Sequence, residues 1–236
     1  MRSIAIITDT NASLPADIIT EKNIYQVPIQ IQFGEDSYIT GVDIDDRKLF
    51  EMIDARKVLP TTAAPSPAAF QNAYQRAFDD GCEQIICICC SSEVSATFNN
   101  AKLAQEAFED RNISVVDSRQ LSLAEGYQVL AAAQAADEGV KKSEILDRLK
   151  DIQDRTHVFG ALPTLKYLAM GGRVGKLAAG FGNTLEIKPI LTSQDGKLEL
   201  LEKVRTWRKA KDRLVELGVE STAGKPIDRV GLIHVN

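Results

Sequence analysis

The sequence predicts an α/β fold: a parallel-sheet α/β N-terminal domain over residues 1–155, then a second α+β domain with a largely antiparallel sheet over residues 156–236. Three observations carry this reading. Apolar runs alternate with helical patterns through the first half, as βαβ units on a parallel sheet require. Beyond about residue 155 strand-like runs dominate instead, and Gln194-Asp195-Gly196-Lys197 between two of them is a hairpin signal. The length of 236 residues suits one large domain or two modest ones, and 44% apolar with 26% charged residues excludes disorder, collagen-like repeats and disulfide-dense miniproteins.

Each element has a local reason. Ile4 to Thr8 is the first strand, and Ser13 with Pro15 and Asp17 opens a short helix through a hydroxyl cap and an early proline. Tyr25 to Phe33 is one apolar stretch whose Pro28 cannot donate to a ladder, which places it at a sheet edge. Gly34-Glu35-Asp36 is a turn, and Asp45 caps a helix over Asp46 to Ala55. After a break at Leu59-Pro60, Ser66-Pro67 starts a helix on which Phe70, Tyr74 and Phe78 make one apolar stripe ending at Gly81. Ile85 to Cys90 is a buried strand, Ser95 can cap the next helix (about Ala96 to Glu109), and Ile113 to Val116 is a strand running into Asp117-Ser118. An Ala-rich helix, Leu121 to Glu138, closes at Gly139, and Ser143-Glu144 begins another reaching Arg155. His157 to Leu162, Glu186 to Thr192 and Leu198 to Arg205 are the strands of the second domain. Arg229 to Val235 reads as a last apolar strand, and so abrupt an ending after Gly224-Lys225-Pro226 suits a truncated chain.

Composition and motifs remove several functions. Lys plus Arg number 28 against 33 Asp plus Glu, a net charge of −5, and such a chain is poorly placed to hold phosphate backbones by counterion release. Nucleic acid is not an expected partner. No apolar run approaches the ~20 residues that cross a bilayer, and polar residues interrupt the N-terminus too early for a signal peptide, so a cytoplasmic location is expected. Cys82, Cys87, Cys89 and Cys90 cluster in the manner of core residues in a reducing compartment. Cys87 and Cys90 match C-x-x-C, but no second Cys or His pair completes a zinc site, and a redox pair normally opens a helix instead of ending a strand. A metal site is not expected. Gly175-Lys176 fails as a Walker A motif, because Met170 stands where a glycine is required and Leu177 where a hydroxyl is required. The dinucleotide fingerprint and the nucleophile elbow are absent too, and both histidines, His157 and His234, fall inside apolar strand patterns that read as core.

What remains is a set of hydroxyl-rich segments at the ends of strands, where an open α/β sheet forms its ligand crevice. Thr8-Asp9-Thr10-Asn11 follows the first strand, Ser91-Ser92-Glu93-Val94-Ser95 follows the Cys-rich strand, and Asp117-Ser118 follows the next. Thr61-Thr62-Ala63-Ala64-Pro65-Ser66 immediately precedes a helix. Hydroxyls at helix N-termini suit a carboxylate or a phosphate, although Ser66 and Ser95 are accounted for as N-caps. Thr61, Thr62, Ser91 and Ser92 lie upstream of the caps and are not. Asp9 reads either as a catalytic carboxylate or as the acceptor of an Asx turn. In Met170-Gly171-Gly172-Arg173-Val174-Gly175-Lys176, the glycines suit a helix C-cap and Arg173 with Lys176 is either surface charge or a cationic lip to a pocket.

Seven blocks in order resemble the DegV family of bacterial fatty-acid-binding proteins. They are Ile6-Ile7-Thr8-Asp9-Thr10 with Ser13-Leu14-Pro15; Thr61-Thr62 through Pro65-Ser66-Pro67; Ser91-Ser92 with Ser95 and Thr97; Val116-Asp117-Ser118; Gly171-Gly172-Arg173-Val174-Gly175-Lys176; Ile187-Lys188-Pro189-Ile190-Leu191; and Glu202-Lys203-Val204-Arg205-Thr206. The resemblance implies an α/β domain joined to a second domain, with a long-chain fatty acid held between them. It implies that the carboxyl end is bound by Thr62 with Thr61 beside it and by Ser92 with Ser91 beside it, no cofactor being required. It also implies a carrier, not a catalyst: a separate fatty-acid kinase component uses ATP to make the acyl phosphate, and transient contact with a membrane surface is expected. Three departures stand out. Ala63-Ala64 replace the usual Ser-Gln, Ser95-Ala96 replaces Ser-Gly, and the family's His-Thr-Gly-Pro-Gly-type segment does not follow Gly231 to Val235. The alternative function is a small-metabolite hydrolase or phosphotransferase using Asp9 and Ser92, which would need a metal or a titrating base.

Overall fold

The computed structural model describes residues 3–173 and 187–234. It divides into two compact units, residues 1–155 and 156–236.

In the first unit β1 (Ile4–Asp9), β2 (Ile24–Val27), β6 (Gln84–Cys89) and β7 (Asn112–Asp117) form a parallel sheet in the order β2-β1-β6-β7. Every residue of β1 is buried, because alternate side chains enter two different cores. Ile4 and Ile6 join Ile86, Ile88 and the small residues of α5 (Leu123–Asp137), with Ile145 and Leu149 of α6 (Lys142–Arg155). Ala5 and Ile7 face Phe70, Tyr74 and Phe78 of α3 (Pro67–Asp79), with Ala101 and Ala104 of α4 (Thr97–Gln105). The stripe read from sequence is therefore a core face: Phe70 and Tyr74 are fully buried. Tyr74 also donates its hydroxyl to the Ala101 carbonyl at 3.0 Å.

The alternation decides the cysteines too. Cys87 and Cys89 point toward Phe70 and Tyr74, whereas Cys90 lies past the strand end within reach of Asp9. All four cysteines are free thiols.

Pro28 separates two strands, and the edge expectation holds for the first of them only. β2 ends at Val27 as an edge of the parallel sheet, and β3 (Gln30–Phe33) belongs to a second, antiparallel sheet of order β4-β3-β5. There β4 is Asp36–Ile39 and β5 is Thr61–Ala63. α2 (Asp46–Arg56), capped as expected by Asp45 on the Lys48 N–H, covers it through Leu49, Met52 and Ile53 against Ile31 and Phe33. Ser13 does not cap α1 (Ala16–Glu21). It sits in the left-handed region (φ 51°) at the end of a 3-10 turn that Asp9 caps, and Pro15 takes the N-cap position.

The other edge of the parallel sheet, β7, has two of its carbonyls occupied by side chains. Gln105 donates to Ile113 O at 2.9 Å and Lys142 to Asn112 O at 3.0 Å. Partial burial of the Lys142 ammonium lowers its pKa to about 8.

The second unit contains β8 (Phe159–Ala161), α7 (Lys166–Met170), β9 (Lys188–Gln194), β10 (Lys197–Val204) and α8 (Trp207–Ser221). Its sheet, β10-β9-β8, is antiparallel. Asp195 (φ 51°) and Gly196 (φ 80°) supply the two left-handed residues of the hairpin turn. His157 is exposed before β8 and stacks on Phe159. The last strand expected from sequence is not formed over the described residues 229–234. Val230, Leu232 and Ile233 are exposed there, as is His234, and an apolar run becomes a strand only where another strand accepts its hydrogen bonds. Val174-Gly175-Lys176, the Glu186 start of the predicted β9 strand, and Val235 lie outside the described residues.

One close approach fixes α5. A Cβ at Gly126 would stand 2.5 Å from the Ala12 carbonyl oxygen and 2.9 Å from Leu14 Cδ2. Gly126→Ala must push the helix off a backbone atom, and a loss of about 1–3 kcal/mol is expected from overpacking. The check is a lower urea midpoint at unchanged slope.

Candidate functional site

The carboxyl ends of β1, β6 and β7 carry Asp9, the Cys90-Ser91-Ser92 turn and Asp117. Asp9 is fully buried. Its Oδ1 accepts the Asn11 backbone N–H at 2.8 Å and Asn11 Nδ2 at 2.7 Å, and its Oδ2 accepts the Cys90 N–H at 3.0 Å. The Asx-turn reading of Asp9 thus describes its bonds, with an added tie between neighbouring strand ends. Burial raises its carboxyl pKa, and the bonds from Cys90 and Asn11 oppose the rise.

Ser91 is buried, donating its N–H to Gln120 O at 2.8 Å and accepting the Glu93 N–H on Oγ at 3.3 Å. Ser92 is half-buried. It donates Oγ–H to Asp117 Oδ2 at 2.6 Å and its N–H to Oδ1 at 3.3 Å. Ser95 accepts the Thr97 N–H at 3.3 Å and pairs with the Thr97 hydroxyl at 2.8 Å. It does not cap α4 as expected, because Ala96 holds the N-cap position and Ser95 makes a local hydroxyl turn one residue before it. Asp9 and Ser92, which the hydrolase alternative couples, have separate partners.

Thr61 and Thr62 are on β5, a strand not expected from sequence, opposite Gln32 and Ile31. Both are exposed, and adjacent strand residues point to opposite faces. Their segment is tied to α4 by Asn100 Nδ2, which donates to Pro65 O at 2.9 Å. α4 is the helix that follows the Ser91-Ser92 turn. Arg173 belongs to the second unit, where it is exposed and donates Nη1 to the Gly171 carbonyl at 2.5 Å. Gly172 has φ +72°, the backbone of the C-cap reading.

Sequence reasoning did not single out Asn11, Glu125 or the role of Asp117. Glu125 lies on α5 with 0% exposure, and Thr8 Oγ1 donates to its Oε1 at 3.2 Å. Donor atoms of Asp9, Cys90 and Glu125 lie within 4.8 Å of one another. They are the one such group among the described residues with donors close enough to hold a metal ion. Burial raises the Glu125 carboxyl pKa well above its ordinary value and the Asp9 charge adds to it, while burial raises the Cys90 thiol pKa. The missed signal was an acid between Ala124 and Gly126 in the first turn of a helix rich in alanine, most of whose residues are buried.

These features define a two-unit α/β protein with hydroxyls gathered at its strand ends and no nucleotide-binding motif. Residues 3–236 match the model of the DegV family, described as uncharacterised proteins, and the chain belongs to that family. A DegV domain-containing protein of Caldanaerobacter subterraneus subsp. tengcongensis is 33% identical over 239 residues, covering 100% of this chain and 84% of the relative. A fatty-acid-binding DegV family protein from Thermus thermophilus has a similar structure, with a TM-score of 0.85 and 29% identity over 95% of this chain and 79% of that one. A stearic-acid-binding protein from Eubacterium ventriosum gives a TM-score of 0.85 at 25% identity, over 94% of this chain and 77% of that one. No helix among the described residues is long and apolar enough to cross a membrane.

Asp117→Asn replaces the acceptor of the Ser92 hydroxyl by an amide donor. Loss of a charge-assisted bond costs about 1.5–3 kcal/mol, discounted here because Ser92 is only half-buried. A fall of about 1 kcal/mol in urea stability is expected, with faster amide exchange at Ser92.

Proposed function

We propose that the chain binds a long-chain fatty acid and presents its carboxyl group to a separate kinase component, which forms the acyl phosphate. The observation that carries this reading is the Ser91-Ser92 turn, held in place by Asp117 and Gln120 at the carboxyl end of a parallel strand. The fatty acids bound by the Thermus thermophilus and Eubacterium ventriosum relatives support it.

The chemistry is consistent. Each buried methylene contributes ~0.8 kcal/mol, so the acyl tail supplies most of the affinity and the acid end needs few polar contacts. In this reading Ser92 and Thr62 hold the carboxyl group, with Ser91 and Thr61 beside them, and the one Ser92 hydroxyl proton turns from Asp117 to the ligand when the acid binds. Neutral hydroxyls leave the carboxylate more nucleophilic than a tight ion pair would. In the kinase step a carboxylate oxygen attacks the γ-phosphorus of ATP, the bond from that phosphorus to the bridging oxygen breaks, and ADP departs. Loading of so insoluble a ligand involves transient contact with a membrane surface in the cytoplasm. The hydrolase alternative is disfavoured, because the three donors to Asp9 and its full burial keep that carboxylate from a substrate.

Lipid extracted from the purified protein should contain a stoichiometric fatty acid by mass spectrometry, and a fluorescent fatty acid should bind the stripped protein. Thr62→Ala with Ser92→Ala should weaken binding about 10-fold or more, the loss of two hydrogen bonds worth about 1 kcal/mol each, in a protein that still folds but is about 1 kcal/mol less stable for want of the Ser92–Asp117 bond. Retention equal to wild type would remove both hydroxyls from the role. Turnover of phosphate esters by the chain alone would favour the hydrolase instead.

A further inference from the structure

We infer that Glu125 is a neutral acid in the folded protein and donates its proton to Asp9, so that one carboxyl–carboxylate hydrogen bond positions the Cys90–Ser92 backbone from inside the core. The observation behind this is a count of acceptor positions. Asp9 Oδ1 accepts two donors from Asn11 and Oδ2 accepts the Cys90 N–H. A carboxylate offers about four such positions, so one is left, on Oδ2. Glu125 Oε1 accepts the Thr8 hydroxyl, while Oε2 is buried with no partner. The two carboxyl groups bring oxygens within 4.8 Å of each other.

Two ionised carboxyls so placed away from water would repel strongly, and a buried acceptor facing another acceptor is unfavourable. One proton on Glu125 Oε2, directed at Asp9 Oδ2, removes both problems. The proton belongs on Glu125 because Asp9 has three donors that favour its ionised form and Glu125 has one. The groups acting most strongly on the two carboxyls are each other, Thr8, Asn11, Cys87 and Cys90, and none of them is a cation. Cys89, whose side chain packs toward α3 on the other face of β6, is still near enough to feel the charge of both carboxyls.

A metal ion fits these atoms less well than a proton. Asp9 has a single acceptor position to offer, and Cys90 Sγ already accepts from Asn11 Nδ2 at 3.4 Å. Burial keeps Cys90 in the thiol form, whereas a metal takes the thiolate.

The bearing of this pair on ligand binding rests on the fatty-acid reading, but the proton itself does not. Glu125→Gln keeps a carbonyl for Thr8 and puts an N–H where the acid O–H stood. Thermal melting of this variant and of wild type is followed from about pH 5 to about pH 8. Folded wild type retains a proton that an unfolded glutamate, with a pKa of about 4.3, has released. Wild-type stability therefore falls as pH rises, until the raised folded pKa is passed. The variant carries no such proton, so its Tm relative to wild type should climb by roughly 3 °C per pH unit. A difference that stays flat with pH overturns the assignment.

The infrared spectrum of wild type near pH 7 gives a reading that does not depend on any variant folding. A protonated-carboxyl stretch is expected, and its absence overturns the proposal. A rise in wild-type Tm with Zn2+ or Mn2+ that Glu125→Gln abolishes would also overturn it, by giving the site to a cation. For the positioning role, fluorescent fatty-acid binding should stay within about two-fold of wild type in Glu125→Gln and weaken in Glu125→Ala. Undiminished binding in Glu125→Ala would overturn that role. Failure of wild type itself to bind would count against the fatty-acid reading alone, since the melting and infrared results involve no ligand.

Discussion

Two adjacent parallel strands of the first unit finish on a single buried carboxylate, and much of the candidate site follows from that. Asp9 closes β1, caps the turn after it through Asn11, and holds the backbone of Cys90 at the end of β6. A carboxylate is suited to this because it accepts several N–H groups at once, and bonds to a charged acceptor are stronger than neutral ones. Asp117 does the corresponding work one strand over, taking both the N–H and the hydroxyl of Ser92. The Ser91-Ser92 turn is thus fixed from two sides by acids that need no contact with a ligand.

The layers around the sheet make that arrangement rigid. Small residues of α5 let the helix approach closely enough for Gly126 to lie against the Ala12 carbonyl, which is also what brings Glu125 over the strand ends. On the opposite face α3 and the 3-10 turn that follows α4 pack aromatic rings together, with Tyr74 near Phe70 and Phe108 at centroid separations of 6.2 and 5.9 Å. Aromatic pairs in this range attract beyond their buried area. The strand carrying the turn is therefore clamped between a close helix and a bulky one.

Periodicity made the long elements legible in the sequence. Phe70, Tyr74 and Phe78 repeat at the helical spacing and are buried together, Asp45 and Ser66 cap the helices they precede, and Asp195-Gly196 turn a hairpin. Short elements carry no period, so the three-residue strand Thr61–Ala63 was invisible, and Pro28, which does follow an edge strand, gave no sign that it also divides two sheets. Ser13 had the right residue type for a cap, but its backbone is left-handed because the preceding turn already claims that position. Of the site, the hydroxyl segments could be found from their place after strands. Glu125 could not, since its contacts with Thr8 and Asp9 cross more than 100 positions of chain and depend on how α5 docks.

The side chains of Gln105 and Lys142 on β7 have a consequence for self-association. An open sheet margin is a template on which another polypeptide can add and propagate. With the carbonyls of Ile113 and Asn112 occupied from within, an incoming chain must first displace an amide and an ammonium. The start of β7 is thereby a poorer template for an added strand than an edge whose carbonyls are all open.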